Sequence, residues 1–321
     1  MLVATYLYYD LNMAIQSKIQ VIDSDRLDSY RDKVVYTYNP PAEELWEQAL
    51  GGNNLSFQFG LYDQAELEKG ATPGPVGPAE YRHFERQLQI AGLSGPDRPK
   101  VNRILDLGCG WGSISRYLAG HFPECQRIDA INISQSQMDY FASKMPSDLQ
   151  RRVNLYLCNA QDIDLLPDPD MPYDLVVVRG VYAHCQNSVF EASLGRVAER
   201  LALTGTLIIS DSFYNKLEGY ESAIPDEIDR LACGHRKTLD YLLRVMAQKN
   251  LKVSDLRQLP SNAEAIHWTN VVRQNVEKHF PEGRTGVADE LHVMMKNLAA
   301  ILAADKFSVF SIIGRPVCSG R

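Results

Sequence analysis

The sequence lacks any arrangement of cysteines that a zinc site or a disulfide framework would use. Its six cysteines are scattered over 321 residues without a CxxC pair, and none has a zinc-ligand spacing from a histidine. No carboxylate cluster with ligand spacing stands out either. We therefore expect reduced, mostly buried thiols and no bound metal.

Long apolar runs and a targeting leader are also missing. No run approaches the roughly 20 residues that a membrane span needs, and the moderately apolar N-terminus has no basic region or small-residue cleavage site. With 45% apolar and 23% charged residues, the composition is that of an ordinary folded protein. We expect a cytoplasmic protein without a membrane span.

Clusters of Lys and Arg are absent as well. The net charge is −7, and no basic stretch is long enough to neutralise a run of phosphates. The sequence therefore predicts no nucleic-acid partner. It leaves the oligomeric state open, because a helix predicted at Met13–Ile22 could exchange between the protomers of a homo-oligomer.

Short β-branched runs alternate with helical patterns in the middle of the chain, which is typical of a parallel sheet with crossover helices. Five strands are predicted there: Asn102–Leu107, Arg127–Ile133, Val153–Cys158, Asp174–Arg179 and Thr206–Asp211. Between them, apolar residues recur at three- and four-residue intervals over three stretches: Ser113–His121, Ser136–Lys144 and Ser188–Leu203. This pattern indicates a doubly wound α/β unit.

The last third of the chain extends the sheet. A predicted helix at Arg236–Lys249 and a strand at Leu251–Leu259 are followed by two helical stretches split around Pro281–Gly286. A final strand at Phe307–Arg315 returns after this excursion and suits an antiparallel orientation. The predicted fold class is therefore α/β, a Rossmann-like seven-stranded sheet with an antiparallel last strand.

Residues 1–100 precede these strands, and we interpret them as a helical lid. Helices are predicted at Met13–Ile22, Ala42–Ala49 and Ala79–Ala91. Residues 101–321 would form the main domain, with lid inserts at 212–235 and 261–306.

The strongest functional signal is the segment Arg103-Ile-Leu-Asp-Leu-Gly-Cys-Gly-Trp-Gly112. An apolar strand carries Asp106 near its end and is followed by three alternating glycines and a helix. Such glycines let the backbone turn sharply and approach a ligand closely. Rossmann dehydrogenases seat a pyrophosphate on a similar turn, so the glycines alone do not identify the ligand.

With its preceding acidic residue, the segment resembles motif I of class I S-adenosylmethionine-dependent methyltransferases. The resemblance implies that Asp106 and Gly108 lie along the methionine part of the cofactor, with Asp106 near its ammonium group. It also implies that Gly110 lies against the ribose. Trp111 packs either on the cofactor or into the core.

The end of the second strand departs from the commonest family pattern. An acidic residue that binds both ribose hydroxyls is usual there, and Asn132 stands in its place. The run Ile133-Ser134-x-x-Gln137 resembles the LSxxQ variant of the cyclopropane synthase and sterol or tocopherol methyltransferase group. That resemblance implies ribose contact by Gln137, with Asn132 secondary.

Two further strand ends agree in order. Asn159-Ala160-Gln161-Asp162 resembles the family's adenine-framing turn, which implies that Asn159 and Ala160 hydrogen-bond the base and Gln161 covers it. Arg179-Gly-Val-Tyr-Ala-His184 resembles the segment beside the methyl donor, which makes Arg179 a cofactor-binding candidate. His184 and Tyr182 become catalytic candidates, His184 as general base or orienting group. Ala183 stands where cyclopropane synthases commonly have Glu, which argues against cyclopropanation.

Aromatic residues suggest where an acceptor binds. Residues 54–63 resemble the stretch that crosses the cofactor in small-molecule methyltransferases, with Phe57 and Gln58 as substrate-binding and Tyr62 as catalytic candidates. The two inserts are rich in aromatics, which build apolar pockets, and add four substrate-binding candidates: Phe213, Tyr214, His267 and Trp268.

The sequence therefore predicts an enzyme that binds S-adenosyl-L-methionine and methylates a small, partly apolar acceptor on C, N or O. Kinship to the sterol and tocopherol group favours carbon. Two alternatives stay open, a nicotinamide-dependent oxidoreductase on a Rossmann sheet and a non-catalytic S-adenosylmethionine-binding protein. Asp106 and the missing acidic residue at Asn132 weigh against the oxidoreductase.

Overall fold

The computed structural model describes residues 19–215, 237–281 and 284–317. One sheet of eight strands runs through it: β1 (Ile19–Val21), β2 (Arg103–Leu107), β3 (Arg127–Asn132), β4 (Val153–Leu157), β5 (Tyr173–Arg179), β6 (Leu201–Tyr214), β7 (Leu251–Gln258) and β8 (Phe307–Pro316). Their order is β1-β4-β3-β2-β5-β6-β8-β7. The strands β1 to β6 pair in parallel, and β8 is antiparallel to both β6 and β7. This confirms the predicted Rossmann-like α/β sheet with its antiparallel last strand.

The number of strands was predicted wrongly, because the sheet gains an eighth strand at its edge. Residues 19–21 had been placed in a helix, but they form β1 and pair with β4 from Ile19↔Leu155 to Val21↔Leu157. The edge of β4 offers unpaired backbone groups, and the β-branched Ile19 and Val21 suit a strand. Residues 13–18 of the predicted helix lie outside the described part of the chain.

Ten helices accompany the sheet in the described residues: α1 (Arg31–Thr37), α2 (a π-helical turn Ala42–Trp46 continued by Glu47–Ala49), α3 (Gln64–Lys69), α4 (Gly77–Ile90), α5 (Ser113–His121), α6 (Gln135–Ser143), α7 (Asn187–Arg200), α8 (Leu239–Gln248), α9 (Asn262–His279) and α10 (Gly286–Ala303). Three short 3₁₀ turns occupy Leu149–Arg151, Ala160–Leu165 and Tyr182–His184. None of these helices is long and apolar enough to cross a membrane.

The crossover helices form two apolar cores, one on each face of the sheet. Helices α4, α5 and α6 cover one face and α7 and α8 the other. A third apolar cluster packs over the carboxyl edge of the sheet and joins α1, α2, α9 and α10 to Trp111 and Tyr214, which follow or end β2 and β6. The elements that cover this edge therefore come from both ends of the chain.

The predicted helical pair of the second insert is present as α9 and α10. Helix α9 starts with a capping box, in which Ser261 and Glu264 satisfy each other's backbone N–H groups. In the first insert, residues 212–214 complete β6, and residues 216–236 lie outside the described part of the chain. The division into a lid of residues 1–100 and a main domain of residues 101–321 stays a prediction.

Candidate active site

The glycine turn after β2 has a backbone that other residues rarely adopt. Gly108, Gly110 and Gly112 have φ angles of +76°, +55° and +81°. A Cβ atom on Gly108 would lie 2.3 Å from Cγ2 of Val181, and one on Gly112 would lie 2.2 Å from Cδ2 of Phe141. Backbone conformation therefore favours glycine at all three positions, and close packing adds to this at Gly108 and Gly112.

This turn opens into a cavity of about 1000 Å³, including its solvent-filled mouth. The cavity lies at the carboxyl ends of the parallel strands, where open α/β sheets bind ligands. Twelve of the predicted site residues line it: Phe57, Gln58, Asp106, Gly108, Gly110, Trp111, Asn132, Gln137, Asn159, Ala160, Arg179 and His184. One cavity thus unites candidates from four strand ends and from the segment before β2.

Asp106 is buried and is held by the helix that follows the turn. Its Oδ2 accepts a 2.5 Å hydrogen bond from the hydroxyl of Ser115, and the backbone N–H of Ser115 supports the carboxyl as well. Burial raises the pKa of Asp106 to about 6, against the opposing effects of Ser115 and Arg179. The carboxyl is therefore fixed, and largely ionised at neutral pH.

Asn132 and Gln137 form one amide unit at the end of β3. Nδ2 of Asn132 donates to Oε1 of Gln137 over 2.9 Å, and Oδ1 of Asn132 accepts from the N–H of Ile133 over 2.8 Å. Ser134 starts helix α6 by accepting from the N–H of Gln137 over 3.3 Å. Because Oε1 of Gln137 accepts from Asn132, its Nε2 remains as a donor, and this atom lies on the Gly110 side of the cavity.

Asn159 lies where the segment before helix α1 meets the cavity. Its Oδ1 accepts from the N–H of Gln161 over 3.2 Å, and its Nδ2 donates to Oδ2 of Asp28 over 2.8 Å. Asp28 also lines the cavity and was not predicted. Gln161 is absent from the cavity lining, because its side chain points to the backbone carbonyls of Arg26 and Leu27, both 3.4 Å away.

Arg26, which no sequence pattern marks, fixes the same segment through two carboxylates. Nη1 of Arg26 lies 3.1 Å from Oδ1 of Asp162, and the guanidinium makes two bonds of 2.6 and 2.8 Å to Asp164. This fork-like contact lowers the pKa of Asp164. The contact therefore fixes the chain next to Asp28, which lines the cavity.

His184 ends a 3₁₀ turn and faces a tyrosine of the N-terminal region. Its Nε2 lies 3.2 Å from the hydroxyl of Tyr38, within hydrogen-bond distance, and both residues line the cavity. Tyr38 also packs edge-on against Trp111, with 5.7 Å between ring centroids. The pair joins a polar, titratable group to an aromatic wall.

Two buried charges hold the backbone of this turn. The carboxylate of Asp211 accepts the N–H groups of Tyr182 and Ala183 at 2.7 and 3.2 Å. The ammonium of Lys237 donates to the carbonyl of Cys185 over 2.5 Å, and burial lowers its pKa to about 8. A negative charge at the amino end of a helical turn and a positive charge at its carboxyl end both interact favourably with the dipole of the turn.

A buried polar cluster lies behind the segment that contains Gln58. Oε1 of Glu80 accepts from the N–H of Gln58 over 3.2 Å and from Nε1 of Trp268 over 3.0 Å. Burial raises the pKa of Glu80 to about 8 and lowers that of His83 to about 3. His83 contacts the carbonyl of Phe59 over 2.7 Å.

Two predicted catalytic residues do not line the cavity. Tyr182 is fully buried on the other side of its turn, where its hydroxyl lies 3.3 Å from that of Ser193. Tyr62 packs on His267 with 4.3 Å between the centroids of the two tilted rings, and its N–H donates to Glu264 of α9. Packing against helices α7 and α9, respectively, has taken both rings away from the site.

The four aromatic candidates from the inserts do not line the cavity either. Phe213 lies in the core under α7 and α8, and Tyr214 packs on Phe307 at 4.9 Å. His267 is engaged with Tyr62, as described above. Trp268 lies 5.4 Å from Phe57 between ring centroids, so it supports a cavity wall from behind.

Comparison with known proteins finds a matching family model and several curated relatives. Residues 104–205 match a family described as a methyltransferase domain. Chloroplastic tocopherol O-methyltransferase of Arabidopsis thaliana is 29% identical over 200 residues, which cover 61% of this chain and 54% of that protein. The chain thus spans about half the length of this curated relative.

Solved structures share the fold across nearly the whole chain. A cyclopropane synthase from Mycobacterium tuberculosis gives a TM-score of 0.73 at 13% identity and covers 91% of this chain and 99% of its own. A geranyl diphosphate C-methyltransferase from Streptomyces coelicolor A3(2), in complex with Mg²⁺, geranyl-S-thiolodiphosphate and S-adenosyl-L-homocysteine, gives 0.68 at 15% identity and covers 92% and 100%. Residues 104–205 thus match a methyltransferase domain, and the chain as a whole shares the fold of these two enzymes.

Proposed function

We propose that the protein binds S-adenosyl-L-methionine and transfers its methyl group to a small, partly apolar acceptor. One observation carries the proposal: the glycine turn opens into a cavity that brings Asp106, Gln137 and Asn159 together from three strand ends. Their chemistry fits the three parts of this cofactor. Asp106 suits the ammonium group, the Gln137 amide suits the ribose hydroxyls, and Asn159 suits the adenine edge.

The same cavity favours this proposal over a nicotinamide-dependent oxidoreductase. A dinucleotide needs its pyrophosphate at the helix that follows the turn. Here the carboxylate of Asp106 already accepts a hydrogen bond from Ser115 in the first turn of α5. Its negative charge would lie beside the position of the pyrophosphate. Asn132, moreover, leaves no carboxylate for the ribose of a nicotinamide nucleotide.

The cofactor would supply a methyl group activated by a sulfonium. The protein's tasks in such a displacement are to align the acceptor, exclude water and receive a proton. Tyr38, Phe57 and Trp111 provide apolar walls, and α2 and α9 cover them from outside. The imidazole of His184, hydrogen-bonded to Tyr38, is the group placed to accept a proton from the acceptor.

The acceptor class follows from these walls. Aromatic rings favour a flat or unsaturated apolar body, and His184 suits an acceptor that loses a proton, such as a phenol, an indole or an amine. The O- and C-methylated compounds named for the relatives above belong to the same broad range. Ala183, without a carboxylate, argues against cyclopropanation.

We propose a cytoplasmic location and no nucleic-acid partner. The net charge of −7 and the lack of basic clusters support the second part, because no stretch would neutralise a run of phosphates. A homo-oligomer remains a prediction that sedimentation of the purified protein would check.

The test is calorimetric titration with S-adenosylhomocysteine and, separately, with NADH. We expect one site for S-adenosylhomocysteine and none for NADH. Asp106→Ala should weaken S-adenosylhomocysteine binding at least about 100-fold, because a buried ammonium would lose its countercharge. Asp255→Ala, which removes a carboxylate from the edge strand β7, is the matched control and should bind normally.

The pKa of Asp106 gives a second readout of the same contact. Affinity for S-adenosylhomocysteine should fall as the pH drops through about 6, where this carboxyl takes up a proton. NADH binding, or full affinity in Asp106→Ala, would contradict the proposal. Formation of S-adenosylhomocysteine from S-adenosylmethionine with phenols, indoles or amines would distinguish an enzyme from a binding protein.

A further inference from the structure

Arg179 is the last residue of β5 and projects from the same face of the sheet as Asp106. Asp106 pairs with Val177 in the parallel register, and Arg179 lies two residues further along β5. Only 9% of Arg179 is exposed, and it lines the cavity. The site thus has a buried cation on the same face as its buried carboxylate.

The guanidinium of Arg179 is held firmly on one side. Its Nη1 donates to Oε1 of Gln87 over 3.0 Å, and Nε2 of Gln87 donates to the hydroxyl of Ser311 over 2.9 Å. The group also lies over the ring of Phe84, 4.8 Å from its centroid. These contacts come from α4 and β8 and fix the plane of the guanidinium.

The remaining donors of Arg179 have no acceptor. Nε and Nη2 are buried and make no hydrogen bond in the described part of the chain. Against the lowering effect of burial, Asp106 and Glu80 raise the pKa of the guanidinium through their charge, but neither is a hydrogen-bond partner of Arg179 among the described residues. A buried charged group with unmet donors is costly unless a ligand completes it.

We infer that Arg179 binds the carboxylate of the amino-acid end of the cofactor. This inference rests on the proposed function and extends it, because an amino acid carries an ammonium and a carboxylate side by side. Asp106 matches the ammonium. Arg179 is the only Lys or Arg side chain among the described residues that line the cavity, so it is their one charged match for the carboxylate.

A guanidinium with two free N–H groups is suited to a carboxylate, which accepts two bonds at once. The assignment also explains why burial is tolerated at both charges, since a bound zwitterion compensates each of them. An acceptor carboxylate could use the same donors, and the test separates that case.

The experiment compares S-adenosylhomocysteine with its decarboxylated analogue, S-adenosyl-3-thiopropylamine, by calorimetry. The unaltered protein should prefer S-adenosylhomocysteine by about 10- to 100-fold, the usual range for hydrogen bonds to a charged group. In Arg179→Met this preference should disappear: affinity for S-adenosylhomocysteine falls, while affinity for the analogue changes less than about threefold. Arg179→Lys, which retains a charge without the fork, should keep part of the preference.

Arg200→Met is the matched control, because Arg200 is buried against backbone carbonyls of residues 163–168 and does not line the cavity. It should keep the full preference. If Arg179→Met fails to fold, equal affinities for the two ligands on the unaltered protein still overturn the assignment, and the preference retained by Arg179→Lys tests it. Equal affinities for the two ligands on the unaltered protein, or an unchanged preference in Arg179→Met, would overturn this role. Arg179 would then be assigned to the binding of the acceptor. No binding of S-adenosylhomocysteine at all would instead overturn the proposed function.

Discussion

Strand β2 has a buried charge cluster at each end, and the two differ in how completely their polar groups are paired. At its start, Arg103 donates to Oδ2 of Asp129 at 2.9 Å and to the carbonyls of residues 167, 168 and 171. The hydroxyl of Tyr173 also donates to Asp129. At the other end, two donors of Arg179 have no acceptor.

The two clusters differ in whether the protein itself pairs all of their buried polar groups. A buried ion pair is tolerated when every donor and acceptor is satisfied, and the cluster of Arg103 and Asp129 meets that condition. The cluster of Arg179, Asp106 and Glu80 does not, and its groups have shifted pKa values, which is common at functional sites. The first cluster is therefore complete within the protein, whereas the second has unmet donors that the proposed ligand would complete.

We expect the largest effect on stability from a substitution that breaks the cluster of Arg103 and Asp129. Arg103→Met leaves Asp129 buried beside only its partners Arg127, Asn154 and Tyr173, so it should destabilise the fold by about 3–5 kcal/mol. Urea denaturation would measure this. Affinity for S-adenosylhomocysteine at low temperature, where the protein remains folded, should change little. A large loss of affinity with unchanged stability would contradict the division.

A smaller effect concerns pH. The pKa of Glu80 is raised to about 8, so its folded form keeps a proton that the unfolded chain loses near pH 4.5. Stability from this group is therefore complete below pH 4.5 and declines as the pH rises through 8. The lowered pKa of His83 acts in the opposite direction, but only between about 3 and 6.5.

Between pH 6.5 and 8, Glu80 should therefore dominate within this cluster, and the free energy of unfolding should decrease by about 1–2 kcal/mol. Glu80→Gln replaces the neutral acid with a neutral amide of the same shape. The variant should be as stable as the parent at pH 6.5 and should lose this decline. Denaturation at a series of pH values checks this, and an unchanged slope would show that Glu80 stays ionised.

The smallest effect concerns the cover of the site. Tyr38→Phe removes the hydroxyl next to His184 but keeps the ring against Trp111, so it should cost about 1 kcal/mol of stability. Tyr36→Phe, at an exposed position in α1 two residues earlier, should cost nothing measurable and serves as the control. If Tyr38→Phe lowered S-adenosylhomocysteine affinity as strongly as Asp106→Ala, Tyr38 would belong to the cofactor site itself and not only to its cover.

Features set by neighbouring residues were predictable. The turn after β2 was recognised because three alternating glycines and an acidic residue lie within ten positions. Helix α5 was predicted at its observed bounds, Ser113–His121, because its apolar spacing is regular. The antiparallel β8 followed from the excursion of two helices before it.

Features set by distant contacts were not predictable. The contacts of Tyr38 with His184 and of Asp28 with Asn159 join positions 146 and 131 residues apart, and no local pattern marks them. Phe213 was misplaced for a nearer reason. The predicted strand stopped at Asp211, whereas β6 extends to Tyr214, and alternation puts Phe213 on the core face with Leu207 and Ile209.

A crystal structure of the protein with S-adenosylhomocysteine would show which residues hold each part of the cofactor. We expect the ligand's amino-acid end between Asp106 and Arg179, its ribose beside Gln137, and its sulfur facing the side of the cavity that holds Tyr38 and His184. A ligand bound elsewhere, or bound with its carboxylate away from Arg179 and its ammonium away from Asp106, would contradict this expectation.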